Sequence, residues 1–347
     1  MKAKALQFGK AMSAALFVLL LVVVGSKNAL AQTQVATLQH GDDVSVYYGT
    51  NAFVEAHTAA ETGDIITLSS GTFVPTTITK AITLRGAGCA IDTVANTYPT
   101  IFGGEMMLYV PDTIEHLTIE GILFTLRVYP KELHNARFNR CNFADFDRNT
   151  NGMSWNMYNS QFVNCIIDQF NFYSAKNTVL INSVVWDPSS LSNDHTVVLY
   201  NSIMRIRSYN SCLSAYNSII LNDGYGSGSS CSFISCIGIY TGSGSGSQSN
   251  VFGSGYATNC VLYNACELVF ESYNYNMPFS FDVQFNLKDE IASSILGNDG
   301  TQVGIYGGMI PYSNRPTYMV LKRCNVANKS TIDGKLSVDI EVVTEEE

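Results

Sequence analysis

The sequence predicts an all-β fold in which short strands pile up as the coils of a parallel β-helix. Three observations point there. First, Asn followed by a small residue and two apolar ones keeps returning, as in "VLINSVVWD" (179–187), "VLYNSIMRI" (198–206) and "SAYNSIILN" (214–222). Second, the small residue recurs as Gly121, Cys141, Cys165, Ser183, Ser202, Ser218, Cys236 and Cys260, in steps of 16 to 24 residues. A period of this size marks stacked units. Third, the segments between are short and rich in Val, Ile, Phe, Tyr, Ser and Asn, which suits strands and turns better than paired helices.

The motif has a physical reading. Equivalent residues of successive coils lie about 4.8 Å apart. Asn tolerates the left-handed backbone conformation of a tight turn. Asn164, Asn182, Asn201, Asn217 and Asn259 are expected to form a turn ladder, passing amide hydrogen bonds from coil to coil; Arg140 and Ser235 interrupt it. The alternative is a row of Asn side chains that binds a ligand. The next position is small because stacked side chains share a narrow space, and the apolar pair restarts a strand. Cys141, Cys165, Cys236 and Cys260 read as buried small side chains. Stacking distance would also allow Cys141–Cys165 or Cys236–Cys260 disulfides.

Ahead of the repeat, residues 1–31 read as a signal peptide. Lys2, Lys4 and Lys10 precede an apolar run from Met12 to Val24, and Ala29-Leu30-Ala31 supplies a small-x-small cleavage site. The mature chain is then expected to be secreted, periplasmic or on the cell surface, with no membrane span. The whole chain has 20 Lys and Arg against 29 Asp and Glu, a formal net charge of −9, and four of its lysines lie in the leader. That balance argues against nucleic acid as a partner, since binding it needs phosphate-neutralising cations. Nine cysteines are an odd number, without a C-x-x-C pair or a zinc-type Cys/His spacing.

Residues 32–64 are expected to cap the first coil. A short helix would run from Asn51, as N-cap, to Gly63, with Phe53, Ala56 and Ala60 as its apolar stripe. Coils are expected over 65–312. Within them, Gly224–Gly255 is rich in Gly and Ser and reads as loops around the strand segment "CSFISCIGIY"; "SYNYNMPFSFDVQF" (272–285) alternates with period two and reads as a half-buried strand. Residues 313–347 close the chain as a hairpin about Asp333-Gly334 with an acidic tail.

The ends carry a resemblance. The stretch 52–88, "AFVEAHTAAETGDIITLSSGTFVPTTITKAITLRGAG", is similar to the opening of secreted bacterial β-helix proteins of the pectin-lyase-like class. "DGTQVGIYGGMIPY" (299–312) is similar to their closing segment. The resemblance implies a right-handed, single-stranded parallel β-helix with a short N-terminal capping helix and a C-terminal hairpin. It implies no one activity, because this architecture hosts lyases, hydrolases, binding proteins and adhesins.

The most suggestive chemistry is acidic. Counted from the small residue of each coil, Asp145 is at +4, Asp168 at +3, Asp187 at +4 and Arg205 at +3, so one coil edge is expected to carry them in a row; Asp147, Arg148 and Arg207 adjoin it. Two carboxylates 5 Å apart repel by about 3 kcal/mol at an effective dielectric of 20. An enclosed row therefore needs a proton, an Arg or a cation. Calcium suits Asp145, Asp147 and Asp168, though the fold requires no cofactor. The plain reading is a solvated row of surface charges. Trp155 and Trp186 are candidates for stacking on sugar rings, while His195, next to Asp194, reads as loop surface. The Asn-Thr-Asp, Asp-Asp, Gly-His-Gly and Arg-Ile-Lys blocks of β-helix polygalacturonases are missing, although "RIRS" at Arg205 is superficially similar to the last. The sequence thus favours a non-catalytic glycan-binding or surface structural protein. The alternative is a polysaccharide lyase or glycoside hydrolase that works on acidic polysaccharide through Asp145, Asp168, Asp187 and Arg205.

Overall fold

The computed structural model describes residues 34–91, 97–111, 114–146, 156–171, 175–188, 196–206, 213–222, 231–242, 251–253, 255–274, 277, 280–282, 284–313, 320–326 and 338–343, the last two as backbone strands. The leader, Asp147, Arg148, Trp155, Asp194, His195, Arg207 and the Asp333-Gly334 turn lie outside them.

The fold is all-β, with two long sheets of parallel strands. One runs from Ile65–Leu68 through Thr83–Arg85, Thr118–Glu120, Arg137–Asn139, Gln161–Val163, Thr178–Ile181, Val197–Tyr200, Leu213–Tyr216 and Ser232–Ile234 to Tyr256–Thr258. The other takes the next strand of each coil, from Ile122–His134 through Asn142–Phe146, Ile166–Phe170, Val184–Pro188, Ile203–Ile206 and Ile219–Asn222 to Ile237–Tyr240 and Val261–Tyr263. A third face is shorter. It joins Met106–Val110, the far half of Ile122–His134, Asn156–Tyr158 and Ala175–Lys176.

Between the two long sheets sits the left-handed turn. Arg140, Asn164, Asn182, Asn201, Asn217, Ser235 and Asn259 all have φ between 45° and 54°. Gly121 is also left-handed, at 65°, and its neighbour Glu120 pairs with Asn139, so Gly121 stacks on Arg140. The sequence alignment had placed it on Cys141, one residue late. Glycine takes the position as readily as Asn, because it has no Cβ to clash.

The interior explains half of each apolar pair. Phe102, Phe124 and Phe143 stack on consecutive coils, the last two with centroids 4.7 Å apart and planes 2° apart. Phe138 stacks on Phe162 in the same way across the interior. Ile167, Val185, Met204 and Ile220 continue the inward file.

The other half points outward and is buried all the same. Ile166, Val184, Trp186, Ile203, Ile219, Leu221, Ile237 and Ile239 pack under Val269, Phe270, Tyr273, Phe285, Leu287, Ile291, Val303 and Ile305. The coils therefore end at Tyr263, and the described residues between Asn264 and Tyr312 return as a strap across the outer face of the second sheet. This corrects the expectation of coils up to 312. The strand expected over 272–285 falls partly outside the described residues, and Tyr273 and Phe285 within it are buried anchors of the strap. Each such side chain contributes about 1.5–3 kcal/mol when fully buried.

The strap changes the role of the Asn row. Asn182 Nδ2 donates to the carbonyls of Ile305 (2.8 Å) and Gly307 (2.7 Å), and Asn217 Oδ1 accepts from Asn298 N–H (2.9 Å). These amides hold the strap and do not pass bonds between coils. The coil-to-coil bonds belong to the next residue. Cys165 N–H donates to Ser183 Oγ, Ser183 N–H to Ser202 Oγ, and Ser202 N–H to Ser218 Oγ, at 3.0 to 3.1 Å. The cysteines of this file are free thiols.

The first coil is capped by the antiparallel pair Val35–His40 and Asp43–Tyr48 and by the helix Ala52–Ala59. Phe53, Ala56 and Ala60 are buried as expected. Asn51 makes no side-chain cap, and the helix ends before Gly63. Lys80 closes it instead, its ammonium donating to the carbonyls of His57 (2.6 Å) and Ala60 (2.6 Å), where a cation suits the helix dipole. Strands Val320–Val326 and Val338–Val343 pair as an antiparallel hairpin. Among the described residues no helix is long and apolar enough to cross a membrane.

Candidate functional site

The expected acidic row divides into two files. Strand pairing puts Asp145 opposite Gln169 and Gln169 opposite Asp187, so a neutral amide separates the two carboxylates by two coil spacings, roughly 10 Å. Asp145 is also neutralised: Arg127 Nε donates to its Oδ2 at 3.2 Å, with both side chains about a quarter exposed or less. The other file runs Asp168, Trp186, Arg205, one residue earlier in each strand. In the coils of Asp145 and Asp168 the inward residues are Phe143 and Phe146, and Ile167 and Phe170, at +2 and +5, so +3 and +4 both point away from the interior and form two adjoining outer files.

Two of the candidates in the Asp168 file are buried. Trp186 lies under the strap, edge-on to Tyr273 at 5.6 Å, which corrects the expectation of an exposed sugar-stacking ring. The Arg205 guanidinium sits 5.1 Å over the Trp186 ring and is 6% exposed. A lyase base must reach its substrate, and this arginine is committed to packing. Among the described residues, no three side chains able to ligate a metal come together.

The residues that sequence reasoning missed lie on the third face. In the strand Ile122–His134 the side chain of Leu133 points inward, and so do those of its partners Met157 and Ala175. Their neighbours His134, Tyr158 and Lys176 consequently project outward, one per coil, in a single file. The His134 and Tyr158 rings stack with centroids 4.7 Å apart, and Lys176 Nζ lies 5.7 Å from the Tyr158 ring. Beside them Lys131 Nζ sits 4.9 Å over Tyr109, and Glu132 Oε1 is 3.6 Å from His134 Nε2. Cation–ring contacts at exposed sites contribute about 0.5–1 kcal/mol each.

A second turn ladder builds this file. Asn135, Asn159 and Asn177 follow its three members, with φ of 53° to 55°. Here the amides do pass bonds along the stack: Asn177 Nδ2 donates to Asn159 Oδ1 at 3.2 Å, and Thr196 Oγ1 donates to Asn177 Oδ1 at 2.7 Å. The signal was present in the chain. "HNA" (134–136), "YNS" (158–160) and "KNT" (176–178) repeat Asn before a small residue, in the same steps of 24 and 18 that separate Arg140, Asn164 and Asn182.

What this surface can do follows from its chemistry. The stacked rings present apolar edges to a sugar ring, and the two lysines present donors and positive charge in an otherwise acidic protein. Comparison with known protein families, with characterised proteins and with solved structures found no match.

Proposed function

We propose that this is a secreted, non-catalytic glycan-binding protein with a right-handed, pectin-lyase-like β-helix, whose third face takes an acidic polysaccharide laid along the coil axis. The observation that carries the reading is the file His134, Tyr158, Lys176. It repeats at about the 4.8 Å coil spacing, which is comparable with the length of one pyranose unit in an extended chain. Two stacked rings are followed along it by a cation, and Lys131 over Tyr109 widens it. A uronate-bearing chain matches such a strip, with ring faces on the tyrosines and carboxylates near the ammonium groups. Two features favour binding over catalysis: Arg127 neutralises Asp145, and Gln169 separates it from Asp187.

The test is calorimetric titration with polygalacturonate and with a neutral glucan. Tyr158→Ala and Lys176→Ala are each expected to weaken polygalacturonate binding about tenfold, which corresponds to about 1.4 kcal/mol, and added salt should weaken it further. Equal binding of both polymers, or an unchanged affinity in both variants, removes this reading. Unsaturated product released from polygalacturonate by the wild type, with or without calcium, and lost in Asp168→Ala, establishes the lyase alternative.

A further inference from the structure

The small-residue file of the main turn ladder holds thiols at both ends. Cys141 and Cys165 are fully buried near its beginning, whereas Cys236 and Cys260 occupy its last two coils. The final pair is tightly registered. Ile237 pairs with Val261, Val261 N–H donates to the Cys236 carbonyl at 3.0 Å, and Cys236 N–H points at Cys260 Sγ at 3.5 Å. Each sulfur also faces two carbonyls: Ala215 and Ile234 for Cys236, Phe233 and Thr258 for Cys260, all at 3.3 to 3.4 Å. Stacked residues at about 4.8 Å fall inside the Cα separation of roughly 4.4–6.8 Å that a disulfide permits.

What sets this pair apart is access. Among the described residues no strand follows Tyr256–Thr258 or Val261–Tyr263 in either sheet, and Cys260 is only partly buried. We propose that Cys236 and Cys260 are a reactive dithiol that small-molecule disulfides close to an intrachain disulfide, stapling the last coil to the one before it, while Cys141 and Cys165 remain thiols.

The chemistry divides between the two sulfurs. Hydrogen bonding from the Cys236 side chain, helped by backbone donors, brings the Cys260 thiol down to about 7. Burial pushes the Cys236 thiol well up. Cys260 is therefore the attacking thiolate. Its sulfur bonds to one sulfur of a disulfide RSSR and expels RS⁻, giving a mixed disulfide. Cys236 then loses its proton to solvent and attacks the Cys260 sulfur, releasing the second RS⁻. Two protein thiols are oxidised and one RSSR is reduced to two thiols. For Cys141, burial likewise pushes the thiol well up, and both it and Cys165 are fully buried, with no partly exposed partner such as Cys260 to begin the exchange.

The full chain, reduced and freed of reductant, is treated with oxidised glutathione, trapped with iodoacetamide and mapped by mass spectrometry. The expected product links the peptides of Cys236 and Cys260 and has lost two hydrogens, while Cys141 and Cys165 are alkylated only after unfolding. Cys236→Ser should leave Cys260 carrying glutathione, and Cys260→Ser should leave no link. Both variants are expected to fold, because Ser183, Ser202 and Ser218 occupy the same position in their coils; circular dichroism checks this. A folded chain whose Cys260 stays alkylatable overturns the proposal. So does Cys260 joined to any other cysteine, or a Cys141–Cys165 link forming as fast.

Discussion

The side-chain amide of Asn182 donates to the main-chain carbonyl of Ile305, 123 residues further along the chain, at 2.8 Å. One turn residue thus closes a coil through its backbone and fastens the strap through its side chain. Asn182→Ala removes both carbonyl contacts and keeps a Cβ at a φ of 46°. Lost bonds to buried carbonyls cost about 1–3 kcal/mol, and the left-handed backbone costs about 1–2 kcal/mol more for Ala. We expect a total loss of about 3 kcal/mol in urea unfolding. Asn182→Gly should lose only the hydrogen-bond part. An Asn182→Ala protein within 0.5 kcal/mol of wild type, on the scale of a neutral surface change, would show that the amide does not fasten the strap.

Ser202 tests the coil-to-coil link. Its Oγ accepts from Ser183 N–H at 3.1 Å and faces the carbonyls of Tyr200 and Leu180. Ser202→Ala leaves a buried N–H unbonded and should destabilise by about 1–3 kcal/mol. Ser202→Cys should cost less, since Cys260 Sγ faces the N–H of Cys236 in the equivalent place. Denaturant midpoints of the two variants give the order directly.

At Gly307 the strap folds back against its own backbone. A Cβ there would stand 1.7 Å from the Gln302 carbonyl oxygen, a contact that no side-chain adjustment relieves. Gly307→Ala should release the strap's end and make 297–313 the first segment cut by a nonspecific protease. Gly300→Ala is the control: its φ is +77°, but the space around it is open, so only the backbone cost of about 1 kcal/mol remains. Equal protease resistance in both variants would contradict the geometry.

His57 makes the N-terminal cap sensitive to acid. Its Nε2 accepts the Thr79 N–H at 3.4 Å, so the bonded ring is neutral. Burial, and secondarily Lys80, lower its pKa from 6.5 to about 4. The unfolded chain therefore takes up a proton first as pH falls below 6.5, and folded stability drops until about pH 4. At about 1.4 kcal/mol per unit, the upper limit is about 3 kcal/mol. His40, whose pKa the Asp64 hydrogen bond raises, acts in the opposite direction near neutrality. The midpoint of thermal unfolding should fall from pH 6.5 to 4.5, and His57→Gln should flatten the profile. An identical slope in that variant would assign the acid sensitivity elsewhere.

Much of the fold was legible because its rules are local. Asn164, Asn182, Asn201 and Asn217 announce a left-handed turn wherever they stand, and the apolar pair after each announces a strand. The helical cap was legible from Phe53, Ala56 and Ala60. The candidate site was less so. Counting from the turn puts Asp145, Asp168, Asp187 and Arg205 on one edge, but parallel register stacks each position only on its own equivalent, so a difference of one residue separates two outer files. Asp168 and Arg205 therefore joined Trp186, and Asp145 joined Gln169 and Asp187. The file of His134, Tyr158 and Lys176 could have been found from its own Asn repeat, which is shorter and begins on a different face.

The sequence by itself determined the coil: its turn, its period and the inward side chains that stack as Phe124 does on Phe143. Those follow from backbone sterics and from the two-residue alternation of strands, which act within a few positions. Only the tertiary structure decided that the outer face bearing Val184, Ile203 and Ile219 is dry, that the amides of Asn182 and Asn217 grip a returning strap, and that Trp186 and Arg205 are inside. Those facts depend on contacts between residues some eighty to one hundred and twenty-five positions apart. An outward Val before solvent and an outward Val beneath a strap are written with the same letter.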